Sequence, residues 1–197
     1  MRPPEIVLAS ASTARTRMLT NAGVRHCCDP ADIDETSIKQ NWLGSPQGLA
    51  QKLAFEKARV VSLRHRGALV IGSDQILALD DEILDKPGSV EAAAEQLRQL
   101  RGHTHRLISA VSVVCDDQEL WTYSDHADLS MRDFSDVFLH DYLDHVGADV
   151  TSSVGAYHLE GLGAQLFQSI EGDFFTVLGM PLIALLNFLR HKGALTL

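Results

Sequence analysis

Residues 68–75 read Ala68-Leu69-Val70-Ile71-Gly72-Ser73-Asp74-Gln75, an unbroken apolar run that closes on a glycine, a serine and a carboxylate. A short continuous apolar run placed just after the breaker Gly67 fits a strand buried on both faces. The strand is expected to end at Gly72-Ser73-Asp74. Ile76 to Leu79 should then resume extended structure before a turn at Asp80-Asp81. A carboxylate ending a buried strand stands at the carboxyl end of a sheet, where open α/β folds receive ligands. Asp74 is therefore a candidate to hold a metal or to orient water. A turn-forming aspartate would account for it equally well.

Upstream of this strand, Pro46 opens a helix with Leu49, Leu53, Ala54, Ala58 and Val61 on one side. The run Glu5 to Ala9 leads into a helix capped by Ser10 or Ser12 and closed near Asn21-Ala22-Gly23. Val24 to Cys28 reads as a strand, and residues 29–45, without a clear period, as an exposed loop. Downstream, Ser89 caps a helix to Leu100 that Gly102 stops. Strands His105 to Cys115 and Glu119 to Met131 pair across Asp116-Asp117-Gln118, and a helix follows from Ser135 to Val146. The last third holds a loop with Gly155, Gly161 and Gly163, a strand from Phe174 to Val177, and a helix begun by Pro181. Helices and strands intermix, so the fold class is α/β, a mixed α+β arrangement with a mixed sheet. No repeat, low-complexity stretch or linker divides residues 1–197, which read as one domain or one domain with two lobes around a cleft.

Composition narrows the function classes. Asp and Glu outnumber Lys and Arg by 26 to 17, a formal charge of −9. That balance opposes a general grip on nucleic acid, which needs a basic face. It permits one small polyphosphate, provided a few cations converge and a divalent ion assists. Cys27, Cys28 and Cys115, an odd number with two adjacent, form no disulfide framework and suit a reducing cytosol. Arg2 followed by Ile6-Val7-Leu8 imitates a secretory signal, but the apolar run is shorter than the roughly 7–15 residues required. No stretch approaches the ~20 apolar residues of a membrane span, so a soluble cytoplasmic protein is expected.

Several segments offer polar chemistry. In Leu8-Ala9-Ser10-Ala11-Ser12-Thr13-Ala14-Arg15, hydroxyls and free N–H groups at a helix start suit a phosphate, and Arg15 could clamp it. A capped helix with a solvated arginine explains this segment by itself. Lys57 shares the apolar side of its helix with Leu53 and Val61, so it either snorkels to water or points into a cleft. Lys86 has its backbone restrained by Pro87. Glu35 is a second carboxylate in a loop. Nine histidines are present, but His103 and His105 lack a third ligand at zinc spacing and are read as non-ligands. There is no Gly-x-Ser-x-Gly elbow, Walker A or dinucleotide glycine motif.

The order of these segments resembles the Maf-like pyrophosphatases over nearly the whole chain. That family opens with Leu-Ala-Ser-x-Ser-Pro-x-Arg, matched by Leu8 to Arg15. Its Asp-Glu pair matches Asp34-Glu35, its Glu-Lys-Ala matches Glu56-Lys57-Ala58, and its Gly-x-Asp strand end matches Gly72 to Asp74. Lys86-Pro87, the Leu-x-Gly-x-x-His of Leu100 to His105, Gly155-Ala156-Tyr157, Glu160 to Gly163, Glu171-Gly172-Asp173 and Val177 to Leu182 continue the series. The resemblance implies a Maf/inosine-triphosphatase-like fold, with a mixed twisted sheet, flanking helices and a central cleft between two lobes. It also implies hydrolysis of a nucleoside triphosphate to a monophosphate and pyrophosphate with a divalent cation, Mg²⁺ or Mn²⁺. By matching position Asp74 would be the proton acceptor. Ser10, Arg15, Lys57 and Lys86 would bind phosphate, Lys52 would stand where relatives carry another base, and Glu35 with Asp74 would hold the metal. Family members often form homodimers.

Within the family, Asp34-Glu35-Thr36, Gly72-Ser73-Asp74-Gln75 and Glu160 look like the branch tied to 7-methyl-GTP rather than the one favouring thymidine and uridine triphosphates. Gln75 and Glu160, with Ala14, thus fall at positions linked to substrate choice. A carboxylate at Glu160 would accept from the guanine edge and favour an N7-methylated, cationic ring. Two departures stand out. Thr13 replaces the usual proline, and Ala14 stands where this branch often carries tryptophan, which implies weaker or broader base selection. A pyrimidine or broad-range pyrophosphatase is the alternative enzyme, and a nucleotide-binding regulator of septum formation the alternative of another class.

Overall fold

The computed structural model describes residues 3–80 and 82–195. Arg2 and Asp81, which entered the readings of the N-terminus and of the Asp80-Asp81 turn, lie outside the described residues. The elements in chain order are β1 (Ile6–Leu8), α1 (Thr13–Asn21), β2 (Cys27–Cys28), α2 (Glu35–Gln40), α3 (Pro46–Ser62), β3 (Leu69–Leu79) and β4 (Glu82–Leu84). They continue with α4 (Val90–Leu100), β5 (Thr104–Cys115), β6 (Gln118–Met131) and α5 (Asp136–Val146). Three short 3-10 segments, β7 (Phe167–Glu171), α6 (Phe174–Val177) and α7 (Leu182–His191) complete the described chain. The strands hydrogen bond in the order β2-β1-β3-β5-β6-β7, with β4 on β3. β1 runs parallel to β2 and β3, whereas β3–β4 and β6–β7 are antiparallel. The sheet is mixed and flanked by helices, as expected.

The chain divides into two compact units. The first comprises residues 1–75, 108–125 and 173–197, and the second residues 76–107 and 126–172. In the first unit the sheet is apolar on both sides, and period-2 alternation assigns each residue a face. Ile6, Leu8, Leu69, Ile71, Val111 and Val113 pack with Met18 and Leu19 of α1 and Leu182, Leu185 and Leu189 of α7. Val7, Ala9, Val70 and Val114 pack on the other side with Ala58 and Val61 of α3. Burying such side chains stabilises by roughly 1.5–3 kcal/mol each. α3 begins where Ser45 accepts from the Gly48 amide and Pro46 takes the first helical position, and its buried stripe includes Leu49, Leu53, Ala54, Lys57, Ala58 and Val61. Contact between α3 and β3 is close enough to demand Gly72. A Cβ there would collide with the Ala54 carbonyl oxygen and lie 2.7 Å from the Ala58 nitrogen.

In the second unit, β3 and β4 form a hairpin that aligns Leu77 with Leu84 and Leu79 with Glu82. α4, capped by Ser89, and α5, capped by Ser135, begin where the sequence places them. His105 is buried against Tyr157 and Phe167, its Nε2 lying 2.6 Å from the Tyr157 hydroxyl. Desolvation lowers its pKa to about 4 against a weaker opposing pull from Asp128.

Four local expectations are corrected. Residues 29–45 are not all loop: Asp34 accepts from the Ser37 amide at 2.9 Å and starts α2. β3 does not stop at Gly72-Ser73-Asp74 but runs unbroken to Leu79, so Asp74 sits mid-strand. Its neighbour Ser73 fits there because its hydroxyl reaches the Ala110 carbonyl at 2.8 Å. Phe174 to Val177 is helix rather than strand, since Asp173 accepts from the Thr176 amide at 3.0 Å, and the neighbouring strand is Phe167–Glu171. β2 is shorter than the expected Val24 to Cys28.

Candidate active site

Alternation along β3 sends Asp74 to the face that packs on α3, and Lys57 meets it there. The Lys57 ammonium donates to Asp74 Oδ1 at 2.6 Å and lies 2.8 Å from Glu35 Oε1. The Lys57 and Asp74 side chains are only 11% and 9% exposed, while Glu35 is 43% exposed. The ion pair is therefore buried at one end and open to water at the other. Glu35 occupies the first turn of α2, where a carboxylate also complements the helix dipole. Lys57 thus resolves its two sequence alternatives: it does not snorkel out but points inward to two carboxylates.

On the opposite face of β3, Ser73 and Gln75 meet the C-terminal turn around α6. The Ser73 hydroxyl lies 2.8 Å from the Ala110 carbonyl and 2.9 Å from the Gly179 carbonyl, so one hydrogen is shared. Gln75 Nε2 lies 3.1 Å from the Thr176 carbonyl, 3.0 Å from the Val177 carbonyl and 3.1 Å from Ser109 Oγ. Gly179 has φ +102°, a conformation that disfavours any residue with a Cβ. Its carbonyl also accepts from Arg15 Nε at 2.9 Å. Arg15 lies in α1, which Ser12 caps. It donates through a second nitrogen to the buried Ser10 hydroxyl at 3.3 Å, which in turn accepts from the Ser12 amide at 3.2 Å. Desolvation lowers the guanidinium's pKa, and the fields of Asp74 and then Glu35 act in the raising direction. A guanidinium stays protonated under such opposing influences.

Glu35 and Lys57 thus meet Asp74 on one face of β3, while Ser10, Arg15 and Gln75 gather at the α6 turn on the other, with Arg15 in the fields of Asp74 and Glu35. Ala14, half-buried, precedes Arg15 in α1. Lys52 does not point to the carboxylates; it is exposed and pairs with Glu56 along α3 at 2.8 Å. Lys86 and Glu160 belong to the second unit, where both are exposed: Lys86 precedes the buried Pro87, and Glu160 lies in the turn before Leu162. Sequence reading quoted Ser73 and Gly179 within motifs but gave them no role, and it missed Ser109 and Thr176. The alternation of β3 gave a signal for Ser73, but a bond between residues 164 positions apart leaves no local trace.

Among the described residues, no group of three or more His, Cys, Asp or Glu is arranged to hold a metal. Glu35 and Asp74, with their oxygens drawn to one cationic nitrogen, nevertheless form a hard two-carboxylate set. Such a set fits Mg²⁺ or Mn²⁺, which are commonly bound by one or two carboxylates with substrate phosphates and water completing the shell.

The family described as Maf-like protein matches residues 5–192. A nucleoside triphosphate pyrophosphatase of Paramagnetospirillum magneticum is 52% identical over 96% of this chain and 99% of its own. A 7-methyl-GTP pyrophosphatase of Rhizobium johnstonii is 45% identical over 98% of both. Among solved structures, a nucleoside-triphosphatase / dITP/XTP pyrophosphatase from Mycobacterium abscessus matches with a TM-score of 0.46 and 16% identity, covering 96% of this chain and 94% of that one.

Proposed function

The chain belongs to the Maf-like protein family, and on that premise we propose that it is a nucleoside triphosphate pyrophosphatase. In that reading it is a hydrolase of phosphorus-containing anhydrides that yields a monophosphate and pyrophosphate. The observation that carries this reading is the buried Lys57–Asp74 pair with Glu35 at its open end. Two carboxylates and a cation meet beside Arg15, inside a protein of charge −9. A partner-binding surface has no need of such a set, which weighs against the regulator of septum formation.

In the proposed mechanism Ser10, Arg15 and Lys57 bind the phosphate chain, and the two cations offset charge that builds on the departing pyrophosphate. Asp74 orients a water and takes its proton as the water oxygen attacks the α-phosphorus. The bond from the α-phosphorus to the bridging oxygen breaks, and its electron pair leaves with pyrophosphate. Glu35 and Asp74 are the residues that would hold Mg²⁺ or Mn²⁺. That ion, when bound, neutralises phosphate charge and polarises the phosphorus. Phosphate binding by Lys52 and Lys86, and base reading by Glu160, rest on family resemblance alone.

7-Methyl-GTP is the proposed preferred substrate, supported by the name of the R. johnstonii relative and by the branch-like residues Glu35, Gln75 and Glu160. Ala14 favours a second reading, a broad-range enzyme, because alanine offers no ring on which a cationic base can stack. No helix among the described residues is long and apolar enough to cross a membrane, and the three cysteines are free. A cytoplasmic location and a homodimer complete the proposal.

A nucleotide panel with Mg²⁺ or Mn²⁺ tests it. Pyrophosphate release is expected, fastest from 7-methyl-GTP, and lost in Asp74→Asn, which should remain folded. Higher activity on dTTP and UTP would replace the substrate proposal. Nucleotide binding without pyrophosphate release under either metal would replace the enzyme by the regulator.

A further inference from the structure

We infer that Ser73 and Gln75 are positioning residues for Arg15, acting through the turn Thr176–Gly179. The inference rests on the proposed polyphosphate site and extends it to residues that touch no substrate. Ser73 is fully buried, on the face of β3 opposite Asp74. Its hydroxyl and the Arg15 Nε both reach the Gly179 carbonyl, at 2.9 Å each. One carbonyl oxygen thereby ties the strand that carries Asp74 to the guanidinium on α1. Two residues along, Gln75 anchors the same turn by reaching the Thr176 and Val177 carbonyls at 3.1 and 3.0 Å. Ser109 adds a bond to the Thr176 carbonyl at 2.8 Å, and the Thr176 hydroxyl reaches Asp125 at 3.2 Å and Asp173 at 3.4 Å.

This arrangement fixes direction. A guanidinium is a planar fork whose donors point in set directions. With Nε committed to Gly179, Arg15 cannot rotate about its own axis, and its remaining donors face one way. Ser10 accepts from one of them, on the strand-to-helix turn assigned to phosphate. The turn must therefore be rigid for the fork to be aimed. Gly179, at φ +102°, closes α6 by donating to the Thr176 carbonyl at 3.1 Å, as Met180 does to that of Phe175 at 3.1 Å, and the bonds from β3 fix this helix end against the strand. Gln75, expected from resemblance to govern substrate choice, spends its amide hydrogens on this turn.

The test is a double-mutant cycle on Ser73→Ala and Arg15→Lys, read by KM and kcat for the best triphosphate and by calorimetric binding of inorganic pyrophosphate. Lysine keeps the charge but has no Nε fork for Gly179 to orient. Ser73→Ala should weaken pyrophosphate binding and lower kcat/KM by about 3–10-fold, the loss of one hydrogen bond, with kcat falling as well as KM rising because Arg15 also offsets charge on the departing pyrophosphate. In the Arg15→Lys background, Ser73→Ala should add nothing. Gln75→Leu should behave the same way and carries the test if Ser73→Ala fails to fold. Equal losses in both backgrounds, or unchanged pyrophosphate binding in Ser73→Ala, would overturn the inference while leaving the enzyme reading intact. A parent that binds pyrophosphate but cleaves no triphosphate overturns the enzyme reading, and the binding cycle still decides the role of Ser73. A parent that does neither overturns both.

Discussion

A lysine and an aspartate taken out of water together lose several kcal/mol of hydration per ion before their attraction is counted. Lys57 and Asp74 accept that loss at 2.6 Å, and stability alone is a weak reason to do so, since an apolar pair of equal volume often serves a core as well. The more economical account is that the pair stands ready for a charged ligand, with Glu35 keeping one side open. On the proposed function, Ala14 is the position at which base choice would be altered, since it precedes Arg15 and is half-buried rather than sealed in the core. Ala14→Trp should raise the preference for 7-methyl-GTP over GTP by about 2–30-fold, the range of a cation–π contact of ~0.5–2 kcal/mol. The ratio of kcat/KM values for the two nucleotides measures it, and an unchanged ratio removes stacking at this position from the account.

Strand β3 does two jobs because its faces alternate: Asp74 looks to α3, while Ser73 and Gln75 look to the C-terminal turn. The apolar run made the strand legible, and the i±4 partners Leu53 and Val61 made the inward side of Lys57 legible. The strand's full length was not, because Gly72-Ser73-Asp74 looks like punctuation until Ala110, Gly179 and Lys57 supply partners across space. α2 and α6 were missed for a different reason. Neither is long enough to show a 3.6-residue period, and the available signals were caps, Asp34 before Ser37 and Asp173 before Thr176. Strand β5 carries the clearest pH response. Burial lowers the pKa of His105 to about 4, below its ordinary value near 6.5, so the unfolded chain binds the proton first. The contribution is full above pH 6.5 and is lost as pH falls from there through 4. His105→Gln, which cannot titrate, should lose less stability than the parent between pH 6.5 and 4. The difference in urea unfolding free energy should be roughly 3 kcal/mol at most, and identical slopes would contradict a buried neutral histidine.

Across the whole molecule, an acidic chain with a net charge of −9 is reconciled with a polyanionic substrate by local concentration of cations. Arg15 and Lys57 come from helices separated in sequence, and their convergence on Asp74 was visible only as an ordered set of family-like segments. Each segment alone had a bland explanation. What the ordered set could not convey was support: Ser73 and Gly179 lie inside family-like segments, but the bond between them, and the part played by Ser109, emerge only from packing. The most direct measurement of the central claim is hydrolysis of the preferred triphosphate in ¹⁸O-labelled water, with products resolved by ³¹P NMR. Attack at the α-phosphorus by water held at Asp74 predicts label in the monophosphate, none in pyrophosphate, and no turnover in Asp74→Asn. Label in pyrophosphate, release of orthophosphate, or undiminished turnover in Asp74→Asn would contradict it.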